Sequence, residues 1–286
     1  MSAALLAAPP ALPHPPGTAI APGYEVVAHL ARNRVLDVYD VYSEHRDCRC
    51  VAKLLRPDAR DDVRARERLL REGALLERLA HPHLVRAYET LPGPEPVVIL
   101  ETLTGQTLSL AIHRGARRMP WVDACFLGLH LCSAVRYLHA EGWLHLDLKP
   151  SNVIVEAARA KVIDLSLARP PGASVRAGLG TRQYAPPEQA AGGAVTPAAD
   201  VWGIGAILLE ALTRAQPFAG AASDGPFPAL RRRPPRVGGL RRVRAALAEL
   251  VDACLDRDPA ARPAVGELAD GLDALIGPDD PASQLP

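Results

Sequence analysis

Between Tyr24 and Leu55 the apolar positions come in short runs with a period near two, which predicts strands at 24–27, 38–42 and 50–54. The period then lengthens. Over 61–79, Leu69, Leu70, Leu75, Leu76 and Leu79 gather on one side and charges occupy the rest, as in an amphipathic helix. Val97, Val98, Ile99 and Leu100 read as a short buried strand. After Gly105 the pattern is mostly helical, over 121–140 up to Gly142, over 200–213 and over 241–256. Strands first and helices afterwards predict an α+β chain with a boundary near Glu101 to Gly105.

Both ends depart from this pattern. Residues 1–23 are rich in Ala and Pro and carry no charge apart from His14. The apolar run Ala3 to Ala8 is too short to span a bilayer, and Pro9, Pro10, Pro13, Pro15 and Pro16 interrupt the chain after it. No basic residue precedes that run, as a signal peptide would require. We expect a flexible tail over 1–23 and a second over 277–286, where Pro and Asp recur.

Length and charge narrow the picture a little. The 286 residues suit one large domain or two lobes sharing a cleft. A formal charge of +1 gives no support to nucleic-acid binding or membrane steering. The basic stretch Arg231 to Arg244 carries no interleaved aromatics, so we read it as a solvated face rather than a nucleic-acid surface. Five scattered cysteines include one C-x-C, Cys48 and Cys50, without a second pair at metal-ligand spacing. Free or buried thiols in a reducing, cytoplasmic setting are expected, in a soluble chain without a membrane span. Lysine occurs only at Lys53, Lys149 and Lys161, in a chain otherwise served by arginine. Arg is a bulky fork and Lys a compact point charge, so the few lysines retained mark places where chemistry demands one.

The strongest chemical signal is His145-Leu146-Asp147-Leu148-Lys149-Pro150-Ser151-Asn152. An Asp and an Asn five apart on a short loop can face one site. The carboxylate there can take a proton from an attacking hydroxyl, and the amide oxygen can ligate a hard cation. Further on, Lys161-Val162-Ile163-Asp164 ends a β-branched strand with a carboxylate suited to a second metal contact. A polar loop with an N-cap aspartate is the plainer reading, but it does not account for Lys149, Asn152 and Asp164 together.

These residues resemble the protein kinase family, of the bacterial Ser/Thr type, whose catalytic loop reads H-R-D-L-x-x-x-N and whose metal loop reads D-F-G. The resemblance runs from about Tyr24 to Leu275. It implies a bilobal kinase-like fold, with a small five-stranded N-lobe over 24–102 and a larger helical C-lobe over 103–276. Lys53 matches the lysine that holds the α- and β-phosphates of ATP, and Glu72 its helix partner. The resemblance places adenine against the backbone of Glu101 and Leu103, and assigns Leu30, Val38, Val51 and Ile154 to the nucleotide site. It makes Asp147 the catalytic base, Lys149 a γ-phosphate contact, and Asn152 and Asp164 the Mg²⁺ ligands. Three later segments resemble those of protein kinases in particular: Gly180 to Glu188 for peptide docking, Asp200 to Gly205 as the anchor of the catalytic loop, and Arg262 as the partner of Glu188.

The departures are as informative. The phosphate-covering loop of the family reads G-x-G-x-x-G-x-V, and here Ala31, Asn33 and Leu36 replace all three glycines. Glycine lets backbone N–H groups approach phosphates and tolerates φ > 0, a conformation Asn33 reaches more readily than Leu36. Leu165 and Ser166 stand where Phe and Gly are usual. Leu146 replaces the arginine that reads a phosphorylated activation loop, and from Leu167 to Leu179 only Ser174 offers a hydroxyl. We therefore expect activity independent of activation-loop phosphorylation. The resemblance implies an ATP- and Mg²⁺-dependent kinase acting on a protein substrate. The rival reading is a pseudokinase that holds nucleotide or a partner without turnover.

Overall fold

Alternation along the strands builds the first unit. The computed structural model describes residues 11–115, 117–220 and 225–277. The chain divides into two compact units at Thr102 and Leu103, with His81–Leu84 belonging to the second. The first unit holds β1 (Ala19–Ala21), β2 (Tyr24–Arg32), β3 (Leu36–Ser43), β4 (Cys48–Leu55), α1 (Val63–Arg78), β5 (Ala87–Leu91) and β6 (Val97–Glu101). Its strands form one antiparallel sheet in the order β1-β2-β3-β4-β6-β5. Tyr39 lies opposite Ala52, and Val38 opposite Lys53. Successive side chains alternate faces, so Tyr39, Val41, Cys50, Ala52 and Leu54 bury on one side with Tyr24, Val26, Val97 and Ile99. Val38, Val51 and Lys53 occupy the other.

Helix α1 starts where Asp62 accepts the amide of Ala65 at 3.0 Å. It packs against β4, β5 and β6. Gly73 is required there, because a Cβ would collide with Thr90 Oγ1 and lie 2.8 Å from Val98 Cγ2.

The sheet has six strands rather than the expected five, and it begins before Tyr24. Gly17 N donates to Val26 O at 2.8 Å and Val26 N to Thr18 O at 2.9 Å, while Ile20 and Ala21 pack on the buried face. The glycines make turns here, Gly17 at φ +83° and Gly23 at φ +74°, and Ala19–Ala21 between them forms β1, so part of the stretch expected as a tail joins the sheet. Residues 1–10 of the expected tail lie outside the described residues, as do 278–286 of the second.

The second unit contains β7 (Gln106–Thr107), α2 (Leu108–Arg114), α3 (Trp121–Ala140), β8 (Val153–Glu156), β9 (Arg159–Val162), β10 (Ser174–Val175), α4 (Pro187–Ala191), β11 (Gly193–Ala194), α5 (Ala198–Thr213), α6 (Val237–Leu240), α7 (Ala245–Cys254) and α8 (Val265–Leu275). Helix α5 is buried on every side from Ala199 to Thr213, which makes it the core of this unit. It packs against α3, α6 and α7, and α8 lies along α3. The β8–β9 hairpin turns through Ala157 and Ala158, both at positive φ (+45° and +63°). No helix among the described residues is long and apolar enough to cross a membrane.

Part of the basic stretch is structural rather than a solvated face. Arg241 donates to the carbonyls of Met119 and Leu212 at 2.6 and 2.8 Å, and Arg244 stacks on Trp121 at 4.2 Å from the ring centre.

Candidate active site

The loop 145–152 is shaped from beneath by α5. Asp200, fully buried, accepts the backbone N–H groups of His145 and Leu146 at 2.8 Å each and His139 Nε2 at 2.9 Å. Burial alone would push this carboxyl up; the hydrogen bond and charge of His139, with those of His145 and the Leu146 amide, hold it below its ordinary value. One turn further along α5, a Cβ on Gly203 would sit 2.6 Å from the Leu148 Cβ, so glycine lets the helix press against the loop. The grip holds Leu146 at φ +64°.

Asp147 is the centre of the loop. Its Oδ1 accepts Thr181 Oγ1 at 2.7 Å and Thr181 N at 3.1 Å. Its Oδ2 accepts Lys149 Nζ at 2.7 Å and Asn152 Nδ2 at 3.2 Å. Lys149 Nζ also donates to Thr181 Oγ1 at 2.7 Å, closing a triangle. Asn152 Nδ2 donates to Asp147 O at 2.9 Å as well, which fixes the amide nitrogen towards Asp147 and its oxygen away from it. Asp164 follows the β8–β9 hairpin at φ +70°, with Oδ1 accepting Ser166 N at 3.1 Å. Sequence spacing pointed to Asp147, Lys149 and Asn152 together, and the structure brings them together. It adds Thr181, whose place in the docking segment 180–188 was the only signal.

That segment is held at two more points. Arg262 donates to both carboxylate oxygens of Glu188 at 2.6 and 2.8 Å. Tyr184 OH donates to the buried Glu210 at 2.7 Å, and Glu210 also faces His113 Nε2 at 2.9 Å. Val175 and Leu179, in the stretch before it, pack in one cluster with Leu144, Leu146, Val195 and Ala199. Position 146 thus supplies buried methyl groups at the place where the kinase pattern carries an arginine.

In the first unit Lys53 Nζ donates to Glu72 Oε1 at 2.7 Å, with the carboxylate side chain fully buried. Val38 and Val51 share the Lys53 face, while Leu30 is 53% exposed where β2 is irregular. Glu101 N donates to Arg86 O at 3.0 Å, so an adenine contact by the Glu101 backbone would use its carbonyl as the acceptor. Leu103 begins the second unit, and Ile154 lies on β8.

The β2–β3 hairpin differs from expectation. None of Ala31, Asn33 and Leu36 adopts positive φ. Asn33 instead makes an Asx turn, its Oδ1 accepting Val35 N at 2.9 Å and Leu36 N at 2.7 Å.

Comparison with known proteins agrees with this geometry. Residues 24–271 match the family model described as protein kinase domain. The serine/threonine-protein kinase PknB of Mycobacterium leprae is 36% identical over 203 residues, covering 67% of this chain and 31% of that protein. A probable serine/threonine-protein kinase of Streptomyces coelicolor, SCO3848, is 31% identical over 211 residues, covering 69% and 31%. The chain thus spans about a third of the length of these relatives. The crystal structure of the Mycobacterium tuberculosis PknI kinase domain shares the fold, with a TM-score of 0.72 at 23% identity, over 91% of this chain and 98% of that one. With the catalytic-loop constellation, the docking segment and the Lys53–Glu72 pair in one sequence, and relatives that are bacterial serine/threonine-protein kinases, the chain belongs to the protein kinase family.

Proposed function

We propose that this chain is an ATP- and Mg²⁺-dependent protein kinase that transfers the γ-phosphoryl group to Ser or Thr hydroxyls of a protein substrate. The observation that carries the reading is the Asp147 carboxylate, met by Thr181, Lys149 and Asn152 within 3.2 Å. Such a carboxylate is oriented, anionic and within reach of a hydroxyl that replaces the Thr181 contact, which is what a general base requires.

The donor set fits a hard divalent cation. Such an ion takes oxygen ligands, and Asn152 turns its amide oxygen away from Asp147 while Asp164 offers a carboxylate at the end of the β8–β9 hairpin. We assign Asn152 and Asp164 to the metal and Lys53, oriented by Glu72, to the phosphates. When bound, Mg²⁺ neutralises charge on the phosphate oxygens. Lys149, held at 2.7 Å from both Asp147 and Thr181, places a cation beside the reacting hydroxyl. Glu101 and Leu103 with Leu30, Val38, Val51 and Ile154 would receive the base of the nucleotide.

The second reading is a pseudokinase that binds nucleotide or a partner as a scaffold. It is favoured by one feature: the amides of Val35 and Leu36 are taken by Asn33 and do not form a phosphate cradle. Phosphate transfer from labelled ATP with Mg²⁺, beside an Asp147→Asn control, separates the two. Transfer abolished by the control supports the kinase. No transfer, with a thermal shift on adding ATP and Mg²⁺, supports the scaffold.

A further inference from the structure

The hairpin that replaces the glycine-rich loop is braced from behind by charges. Asp37 is fully buried, yet it is not isolated. Arg32 grips it with Nε on Oδ1 at 2.7 Å and Nη2 on Oδ2 at 2.8 Å, and His29 Nε2 lies 3.0 Å from Oδ1. Arg32 reaches outward too, its Nη1 donating to Ala11 O at 2.6 Å, while His14 N donates to the Tyr39 hydroxyl at 2.9 Å. At the tip, Arg56 Nη1 donates to the carbonyls of Asn33 and Arg34 at 3.2 and 3.3 Å, and Arg56 N to Val35 O at 2.9 Å.

This arrangement has two effects. Asp37 is on the face of Tyr39, opposite that of Val38 and Lys53, so the cluster acts on the hairpin from the other side of the sheet. And at the tip Asn33 and Arg56 satisfy the amides of Val35 and Leu36 and the carbonyls of Asn33, Arg34 and Val35, bonds that bending would break. A two-pronged pair to a desolvated carboxylate is directional as well as strong, and resists the twisting that glycines would permit.

We infer that the Arg32–Asp37 ion pair, with His29 hydrogen-bonded to Asp37, forms a latch that holds the β2–β3 hairpin in one fixed shape, making Arg32 and Asp37 positioning residues for the nucleotide. The latch does the shaping that a flexible glycine-rich loop does by closing. This inference rests on the kinase reading for its consequence, but not for its geometry.

The test uses Arg32→Met and Arg32→Lys in the full chain, with exchange in helix α5 as the control for global unfolding, because Arg32→Met leaves the buried Asp37 without its guanidinium. Two readouts are taken. The first is amide hydrogen exchange at 33–36 without nucleotide, which reports the latch whether or not the chain turns over ATP. Arg32→Met is expected to speed it about tenfold, and Arg32→Lys, which keeps charge but loses the fork, nearly as much. The second is kinetic: the KM for ATP rises several-fold while the KM for the protein substrate holds. Unchanged exchange at 33–36 in both variants overturns the latch. Faster exchange with an unchanged KM for ATP overturns its positioning role.

Discussion

The cluster beneath the activation segment makes a quantitative prediction. Its β10–β11 ladder has only two residue pairs, Ser174 with Ala194 and Val175 with Gly193. So short a ladder does not hold a segment alone. Burial of Val175 and Leu179, each 7% exposed, against Leu144 and Leu146 must supply the rest. Leu179→Ala reduces a buried isobutyl group to a methyl and leaves a cavity, costing about 2–3 kcal/mol, which raises the open fraction of the segment roughly 30- to 150-fold. Arg176 is exposed in the middle of it and gives trypsin a reporter bond. Cleavage after Arg176 in Leu179→Ala should accelerate by that factor, and phosphate transfer should fall at temperatures where the open form becomes the major one. Ser174 is exposed on β10 and contributes no methyl group to the cluster, so Ser174→Ala should leave both rates unchanged. Equal cleavage rates in Leu179→Ala and the parent, or loss of activity in Ser174→Ala, would refute the idea that packing replaces phosphorylation here.

Three further outcomes are expected. Lys53→Met leaves the Glu72 carboxylate buried without that cation and should cost about 3–5 kcal/mol in urea unfolding, whereas Lys53→Met with Glu72→Leu should recover most of it. Ala157 and Ala158 turn the β8–β9 hairpin at positive φ, which disfavours a Cβ by roughly 1–2 kcal/mol per residue, so Ala157→Asn with Ala158→Gly should raise the Tm. The Asp200 carboxyl titrates lower when folded than when unfolded, so its contribution is complete above an unfolded value of about 4 and disappears as pH falls through the lowered folded value. Asp200→Asn should therefore flatten the acid limb of a stability profile, and an unchanged slope below that pH would count against this role for Asp200.

What could be read in the sequence was what repeats or what chemistry makes rare. The periodic helices at 121–140 and 200–213 and the Asp147 to Asn152 spacing were visible because apolar spacing and unusual polar residues are local signals. Strand β5 escaped because Ala87, Tyr88, Glu89, Thr90 and Leu91 mix apolar and polar residues without alternation, and its place depends on pairing with β6. Strand β1 escaped because Pro and Gly around it look like a tail until Ile20 is seen packed on the sheet. Helix α8 was within reach, since Val265, Leu268 and Leu272 keep a helical spacing. The partnership of Thr181 with Asp147 spans 34 residues and could only come from the fold or from resemblance. That Asn33 would use its side chain to cap the amides of Val35 and Leu36 could not be told from the sequence, which showed only that Asn reaches a left-handed backbone more readily than Leu.

The contacts of Asp147 carry a consequence for futile turnover. An ionised carboxylate offers about four lone-pair positions, and all four are occupied here by Thr181, Lys149 and Asn152. A stray water gains little by evicting the Thr181 hydroxyl, which is tethered beside its own amide. On the kinase reading, a substrate chain docked on 180–188 would bring its hydroxyl with the binding energy of its neighbours and make that exchange. If Asp147 is the base proposed above, Thr181 stoppers it at rest, and spontaneous ATP hydrolysis should stay slow until a protein arrives.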